Sequence, residues 1–431
     1  MATEYGHKLN PYRKLRKQKG IKGLRQTIYN THVPAEISQG GILTVRFPDM
    51  GPHDVIVPGT AKLSFKITLS STGGSADNDR TICNNLGRAI VSKIEVKLEG
   101  KSVFTLDDSD IFLSYQDLWK TSEERDNAAY QGICSEAIRR IRIDAGNKDL
   151  TNAKNKAVGT TYSNRFCIPL DFELLTSHSP FFQHDLNDRL SYELTFNSYG
   201  KVIVSTDNAA SYSVSDIHLE YEKITSPELA MTLKAQNQGK QTVLYDRVQR
   251  HGKYSFDKQD TVWNINLSPN TKSMKGILIL FIDPSDGGEL YARDPEKFYN
   301  PKINKVSITL DGNPNQLYSS GMLKHQQWDE IRKHFADGRH RTVSTVAKEL
   351  QLSDMTLADY LTTKYGLWLD MRTTDDDALH GSGRKLEGAS QSIHIQIDKE
   401  AETEGDLDAY IFYICDAQLN FEKSRMVSTV Y

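Results

Sequence analysis

The sequence predicts an all-β protein built from two tandem antiparallel sandwiches. The string DIHLEYEK at residues 216–223 returns as DAQLNFEK at 416–423, and both close a run in which apolar and polar residues alternate. Alternation with a period of two is typical of strands with one buried face. Turns rich in Gly, Pro and Asp separate the runs, and helical periodicity is confined to a few short stretches. A strand written twice indicates two domains of one design.

Four further pairs of segments recur in the same order, at similar offsets. They are AKLSFKITL at 61–69 with GILILFI at 276–282, KIEVKLEG at 93–100 with KVSITLDG at 305–312, IPLD at 168–171 with LWLD at 367–370, and RLSYELTF at 189–196 with QSIHIQID at 391–398. Ordered recurrence at this spacing indicates an internal duplication. Eight strands in two sheets suit domains of this size. We therefore predict a double jelly roll, two eight-stranded antiparallel sandwiches with a few short helices inserted in loops.

Each half is also expected to contain one helix after its copy of the KIEVKLEG/KVSITLDG segment. DDSDIFLSYQDLWK places apolar residues at helical spacing behind Asp108 or Ser109 as the N-cap, and it ends near Trp119. QQWDEIRKHF has the same spacing around Trp328. Trp119 and Trp328 are thus predicted to take part in helix packing.

The repeated closing strands predict which side chains enter the two cores. Leu219 and Tyr221 in the first copy, and Leu419 and Phe421 in the second, occupy the apolar positions of the alternation. His218, Glu220 and Glu222 should point outward.

The net charge of −3 conceals a basic N-terminus. Residues 1–30 carry eight Lys or Arg against one Glu, a balance of +7, which leaves −10 for the rest of the chain. The basic residues are Lys8, Arg13, Lys14, Arg16, Lys17, Lys19, Lys22 and Arg25. Such a segment is typical of a flexible arm. It could meet phosphate or an acidic neighbouring surface, or it could be a solvated tail that only aids solubility.

The domain boundary is predicted at SPELAMTLKAQNQGK. Ser226 can cap a helix, Pro227 suits its first position and Gly239 can end it. The expected organisation is a flexible arm over 1–30, a first jelly roll over 31–225, a linker helix over 226–240 and a second jelly roll over 241–431.

Composition favours a protein made and folded inside a cell. The chain is 38% hydrophobic and 25% charged, and it shows neither a membrane span nor the apolar core of a signal peptide. The four cysteines, Cys83, Cys134, Cys167 and Cys415, are scattered without a metal-binding spacing, so we expect small buried side chains.

Several strings resemble binding or catalytic motifs, but their residues do not have the spacing that those motifs require. Gly100-Lys101-Ser102 resembles the end of a phosphate-binding loop, but Glu95 stands where the first Gly is required. The acidic clusters at 107–110 and 374–377 could hold a cation, yet nothing places a third ligand. His218 and His394 each stand alone in a strand, and no nucleophile or zinc motif is present. We expect no catalytic, cofactor-binding or metal-binding residue.

Three classes of function remain open on these residues. Three copies of a doubled sandwich around an axis would display six similar units, a quasi-hexagonal tile that could pave a closed shell. A tandem β-sandwich could instead recognise carbohydrate or protein through its loops. An enzyme of the bicupin type would need a polar pocket with convergent histidines or carboxylates.

The sequence also resembles a known family. GILTVRFPDMGPHDVIVPGTAKLSFKITL, NNLGRAIVSKIEVKLEGKSVFTLDDSDIF, DLWKTSEERDNA, FCIPLDFELLTSHSPFF and NDRLSYELTFN resemble double jelly-roll major capsid proteins of Polinton/Maverick elements and adintovirus-like DNA viruses, in the adenovirus-type capsid lineage. In the second half, MKGILILF and DAQLNFEK carry the resemblance.

The resemblance implies a structural protein without enzymatic activity. It implies homotrimeric, pseudohexagonal capsomers in an icosahedral shell around double-stranded DNA. The partners that it implies are neighbouring capsomers, penton and minor capsid proteins and, without sequence preference, genomic DNA. The protein would be located in the virion capsid, after synthesis in the host cell.

Overall fold

A computed structural model describes most of the chain. The described residues are 24–30, 36–57, 59–71, 80–98, 100–133, 165–172, 175, 190–205, 210–237, 240–285, 294–318, 320–337, 355–373, 382–387, 392–422 and 425–430.

Strands dominate both halves of the described chain. The elements up to the linker are β1 (Leu24–Asn30), β2 (Glu36–Ser38), β3 (Ile42–Arg46), β4 (Asp54–Ile56), β5 (Lys62–Ser71), β6 (Arg80–Ile82), α1 (Leu86–Ala89), β7 (Val91–Leu98), β8 (Lys101–Asp107), α2 (Ser109–Asp117), α3 (Ser122–Asn127), a 3-10 turn (Ala129–Gln131), β9 (Phe166–Pro169), β10 (Ser191–Phe196), α4 (Tyr199–Val202), β11 (Ile203–Ser205), β12 (Ala210–Thr225) and α5 (Pro227–Asn237). The later elements are β13 (Lys240–Asp257), β14 (Val262–Leu267), β15 (Thr271–Ile282), β16 (Ile303–Leu310), β17 (Asn313–Pro314), a 3-10 turn (Gln316–Tyr318), β18 (Met322–Leu323), α6 (Lys324–Arg332), a π-helical turn (Lys333–Asp337), α7 (Leu357–Thr362), β19 (Leu367–Asp370), β20 (Arg384–Leu386), β21 (Ile393–Lys399), β22 (Asp406–Glu422) and β23 (Arg425–Val430).

The first domain is a sandwich of two sheets. Sheet 1a has the strand order β1-β12-β5-β9, with β2 and β4 also paired to β12, and sheet 1b has the order β3-β10-β7-β8. All pairs are antiparallel. Leu194 of β10 lies opposite Leu43 of β3 and Ile94 of β7. Such apolar positions from both sheets form one buried cluster, as period-two alternation requires.

The second domain repeats the order of these eight main strands. Sheet 2a is β13-β22-β15-β19, with β23 also paired to β22 and β20 to β15, and sheet 2b is β14-β21-β16-β17, with β18 also paired to β16. The repeated segments fall at equivalent places, because β5, β7, β9, β10 and β12 correspond to β15, β16, β19, β21 and β22. The predicted fold class, a double jelly roll with short inserted helices, is confirmed.

Local signals place the turns and the linker. The β16–β17 hairpin turns at Asp311 and Gly312, whose φ angles are 50° and 79°. An Asp-Gly pair favours such positive φ angles, so the LDG string at 310–312 forms the turn that was expected of it. Helix α5 begins at Pro227, and the backbone N–H of Leu229 donates to Ser226 Oγ at 3.3 Å. Gly239, the expected end of the linker, lies outside the described residues.

The N-terminal boundary differs from the expectation. Residues 24–30, which we expected in the flexible arm, form β1 and pair with β12 in continuous register from Leu24↔Thr225 to Asn30↔Leu219. Backbone hydrogen bonds to the edge of β12 hold this polar segment, and Ile28 packs against the first core. Of the eight basic arm residues, Arg25 lies in β1 and pairs with Glu222, while the other seven lie outside the described residues.

Candidate functional site

The seam between the two domains is built around α2. This helix follows strand β8 of the first domain, yet Ile111, Phe112 and Tyr115 belong to the apolar cluster of the second domain. The Phe112 ring lies 5.4 Å from Phe412 of β22, and the Tyr115 ring lies 5.0 Å from Phe298. The first domain therefore completes the core of the second.

Helix α2 covers the outer face of sheet 2a. Phe281 of β15 faces inward, since its ring packs on Trp263 of sheet 2b at 6.0 Å. Alternating positions therefore point outward, and they are buried as well, because every residue from 273 to 282 is buried. A Cβ at Gly366 would lie 2.5 Å from the Tyr115 hydroxyl oxygen, so this glycine permits the close approach of α2.

The two tryptophans singled out from the sequence meet at this seam. Trp119, just after α2, is 4% exposed and stacks on Trp328 of α6 with ring centroids 5.8 Å apart. Phe335 also stacks on Trp119, with ring centroids 5.7 Å apart. Both tryptophans were predicted to take part in helix packing without an assigned partner, and in the structure they join the two helices to each other.

Polar contacts tie the same seam at its edges. Arg125 and Asn84 of the first domain bind the two carboxylate oxygens of Glu296, at 2.7 and 2.6 Å. The Tyr245 hydroxyl donates to the Val103 carbonyl oxygen at 2.8 Å. Because these hydrogen bonds join fixed points of the two domains at the edge of an apolar interface, they help to fix its register.

Asp108 occupies the N-cap position of α2, as expected, but it does not act as a side-chain cap. Its φ is 50°, and no side-chain cap hydrogen bond forms. Instead its carboxylate pairs across the seam with Arg250 of β13 at 2.5 Å. Burial raises the pKa of Asp108, and Arg250 opposes that shift.

A buried ion cluster anchors the C-terminal end of α2. Asp117, 1% exposed, accepts from Arg88 Nε at 3.0 Å and pairs with Lys120 at 2.7 Å. Arg88 also pairs with Asp171 at 2.5 Å. Burial opposes ionisation of Asp117, but Arg88 and Lys120 outweigh it and lower its pKa to about 2. Asp117 is therefore ionised at neutral pH.

Acid is expected to weaken this anchor. Because the folded pKa lies below the ordinary 3.8, the contribution of Asp117 to stability is present above about pH 4 and is lost as the pH falls toward 2. The loss is on the order of 2 kcal/mol. Urea denaturation at pH 5 and pH 2.5 should show an Asp117→Asn variant losing correspondingly less stability than the wild type. An Asp406→Asn variant, at an exposed position, should behave as wild type; equal acid losses in all three proteins would contradict the assignment.

The closing strands differ from the prediction in one respect. Leu219 and Tyr221 are 1% and 3% exposed and lie in the first core, as expected. Leu419 and Phe421 are buried too, but they join the first domain's cluster and not the second core. The ends of β13 and β22 extend over the first domain, where Tyr245 packs on Phe172 with ring centroids 5.3 Å apart.

The side chains expected to point outward from β12 form a network on the outer face of sheet 1a. Glu220 accepts from Ser64 and pairs with Lys62 at 3.3 Å. His218 Nε2 lies 2.7 Å from Asp216, and its ring stacks on Tyr29 of β1 at 4.0 Å. His218 is 8% exposed, so it is covered although it points away from the core. Glu222 pairs with Arg25.

The described residues show no grouping suited to catalysis or metal binding. No set of three or more His, Cys, Asp or Glu among them is arranged to hold a metal ion. Cys83, Cys167 and Cys415 are buried and unpaired, while Cys134 and the acidic cluster at 374–377 fall outside these residues. Nor does any helix within the described ranges have the length and hydropathy for crossing a membrane.

Sequence reasoning missed the seam, although one signal was available. GILILFI at 276–282 is continuously apolar, whereas its counterpart AKLSFKITL alternates. A continuous apolar strand indicates burial on both faces. That difference could have identified the sheet onto which a helix docks.

Two tandem jelly rolls of one topology, joined by an apolar helix-on-sheet seam, define the double jelly-roll class of β-proteins. Neither a family model nor a curated protein matches the sequence. Solved structures do match over nearly the whole chain. VP54 of the virus PBCV-1 is 11% identical, with a TM-score of 0.61 over 96% of this chain and 98% of that one. The Faustovirus major capsid protein is 8% identical, with a TM-score of 0.60 over 94% and 92%. The mavirus major capsid protein is 12% identical, with a TM-score of 0.50 over 96% and 93%. At these identities the likeness shows the fold.

Proposed function

We propose that this chain is a major capsid protein whose homotrimers form pseudohexagonal capsomers of an icosahedral shell around double-stranded DNA. The observation that carries the proposal is the doubled jelly roll with one strand order in both halves, held as a unit by the α2 seam. A trimer of such units presents six similar sandwiches, and repeated heterologous contacts between them can close a shell. Capsid proteins of the same architecture, which match the chain nearly end to end, support this function.

The finer assignment follows the sequence resemblance. We place the protein with the Polinton/Maverick and adintovirus-like capsid proteins, as a structural protein of the virion that is made in the host cell. Its further partners would be penton and minor capsid proteins.

The basic arm would serve the shell. Strand β1 begins at Leu24 on the edge of sheet 1a, and the seven basic residues precede it in the sequence. The basic segment is therefore joined to the first domain at this edge of the sheet. Seven cationic side chains on a short segment can bind the phosphates of genomic DNA without sequence preference. The same segment could instead bind an acidic surface of a neighbouring capsomer.

The mass of the purified protein in solution tests the proposal. Light scattering should give about three times the chain mass of 48.7 kDa, and negative-stain microscopy of that fraction should show hexagonal outlines or closed shells. A monomer that persists at high concentration would instead favour a tandem binding module. In the same experiment, a chain without residues 1–23 should still form trimers but fewer filled shells.

A further inference from the structure

Strand β1 makes far less apolar contact than its counterpart in the second domain. β1 and β13 are the first strands of sheets 1a and 2a, and they pair with the equivalent strands β12 and β22. β13 runs for 18 residues, and it buries Val243, Tyr245 and Val248. β1 runs for seven residues, and among its described side chains Ile28 alone packs against a core.

The neighbouring side chains of β1 lie largely in solvent. Leu24 and Tyr29 are 57% and 51% exposed, and the side chain of Arg25 is 68% exposed. Arg25 pairs with Glu222, and the Tyr29 ring stacks on His218. Because exposed ion pairs contribute little, the backbone hydrogen bonds to β12 supply most of the hold on β1. Segments with few buried apolar contacts and exposed backbone hydrogen bonds open locally at low cost.

Strand β12 does not depend on β1 for its place in the sheet. On its other side, Leu219 lies opposite Leu63 of β5, and residues 223–225 pair with β4. The Tyr221 ring packs within the first core, 5.6 Å from the Phe47 ring. Opening of β1 therefore exposes one edge of β12 and leaves the sandwich closed.

Docking of β1 also places a cation of the basic segment against carboxylates of the sheet. Arg25 is the eighth basic residue of the chain, and its guanidinium pairs with Glu222 of β12. Glu220, two residues earlier in β12, lies opposite Tyr29 and pairs with Lys62. A polyanion bound to the basic segment competes with Glu222 for Arg25 as long as β1 is docked, and like charge repels it from this edge.

We propose that β1 is a strap that opens from β12 while the first jelly roll stays folded, and that a polyanion bound to the basic segment favours the open strap. The open strap offers Arg25 to the anion and moves the segment away from Glu222, and a ligand shifts an equilibrium toward the form that it binds more tightly. Opening adds seven residues to the arm, roughly 24 Å of extended chain. The coupling to the anion rests on the proposed phosphate-binding role of the arm, whereas the opening rests on the contacts of β1.

Hydrogen–deuterium exchange of the full chain, followed by mass spectrometry, tests the strap. Backbone amides of β1 should exchange at least about tenfold faster than those of β13, while those of β5 stay protected. Addition of a DNA duplex of about 30 base pairs at low salt should speed exchange in β1 further, by at least about threefold. Equal protection of β1 and β13 in the free protein would overturn the strap.

Glu222→Gln tests the coupling, because it removes the carboxylate that competes with the anion for Arg25. Without DNA, this variant should exchange β1 about two- to fivefold faster than the wild type, and DNA should add less to that rate. Glu193→Gln removes a carboxylate that pairs with Lys97 at 2.7 Å on sheet 1b, so it is the matched control and should leave exchange in β1 unchanged. A chain without residues 1–23 should keep fast exchange in β1 and lose the response to DNA.

Binding of the duplex, measured by fluorescence anisotropy, separates the remaining outcomes. If the duplex binds and exchange in β1 stays the same or slows, the coupling is wrong. If the duplex does not bind, the proposed phosphate-binding role of the arm fails and the coupling fails with it. In either case the comparison of β1 with β13 in the free protein decides whether the strap opens.

Discussion

Replacing Trp119 with alanine is expected to lower the free energy of unfolding by about 3 to 5 kcal/mol. The indole is 4% exposed and stacks on both Trp328 and Phe335 at the seam. Its removal leaves a cavity between two domains, each with its own hydrogen-bonded sheets, so neither can collapse to fill the space. Urea denaturation followed by far-ultraviolet circular dichroism measures the loss.

Trp328→Ala is the matched control for this experiment. Trp328 is only partly buried, so its removal should cost less than that of Trp119. The double variant should reveal a coupling of about 0.5 to 1.5 kcal/mol, as expected for rings in contact. Strict additivity of the two single losses would mean that the stacked pair does not join the domains.

Leu219→Asp is expected to cost more than about 4 kcal/mol, because it places an unpaired carboxylate in an apolar core. Leu219 is 1% exposed and lies within the first domain's cluster. The carboxylate would have to remain protonated or draw water into the core, and either response weakens the packing of sheet 1a on sheet 1b. Chemical denaturation should show a large fall in midpoint, or no folded protein.

Leu244→Asp makes the same chemical change at an exposed site. Leu244 lies in β13 and is 42% exposed, so the new charge stays in water and the midpoint should move little. An unchanged midpoint for Leu219→Asp would mean that the closing strand of the first domain does not face its core.

Much of the fold could be predicted because strand signals are local. Period-two alternation reports which side chains of a strand face a core, and the LDG string reports a turn that needs positive φ angles. The duplication added that the two domains are alike, since two copies of five segments in one sequence order indicate two domains with one topology. Burial of Leu219 and Tyr221 followed from the same pattern.

These sequence signals did not predict strand β1. LRQTIYN has no clean alternation, and its pairing with β12 relies on backbone groups that every sequence offers. Residues 24–30 were therefore grouped with the basic segment before them as one flexible arm. Whether such an edge strand forms depends on the free edge of a partner far away in the sequence.

The sequence by itself determined two jelly rolls of one design, the linker helix between them and the absence of familiar catalytic motifs. Only the tertiary structure decided how the halves join: α2 of the first domain completes the second core, and Leu419 and Phe421 of the second complete the first. The physical reason is that alternation records whether a side chain is buried, not which surface buries it. That choice depends on the docking of distant elements, whose apolar faces look alike in sequence.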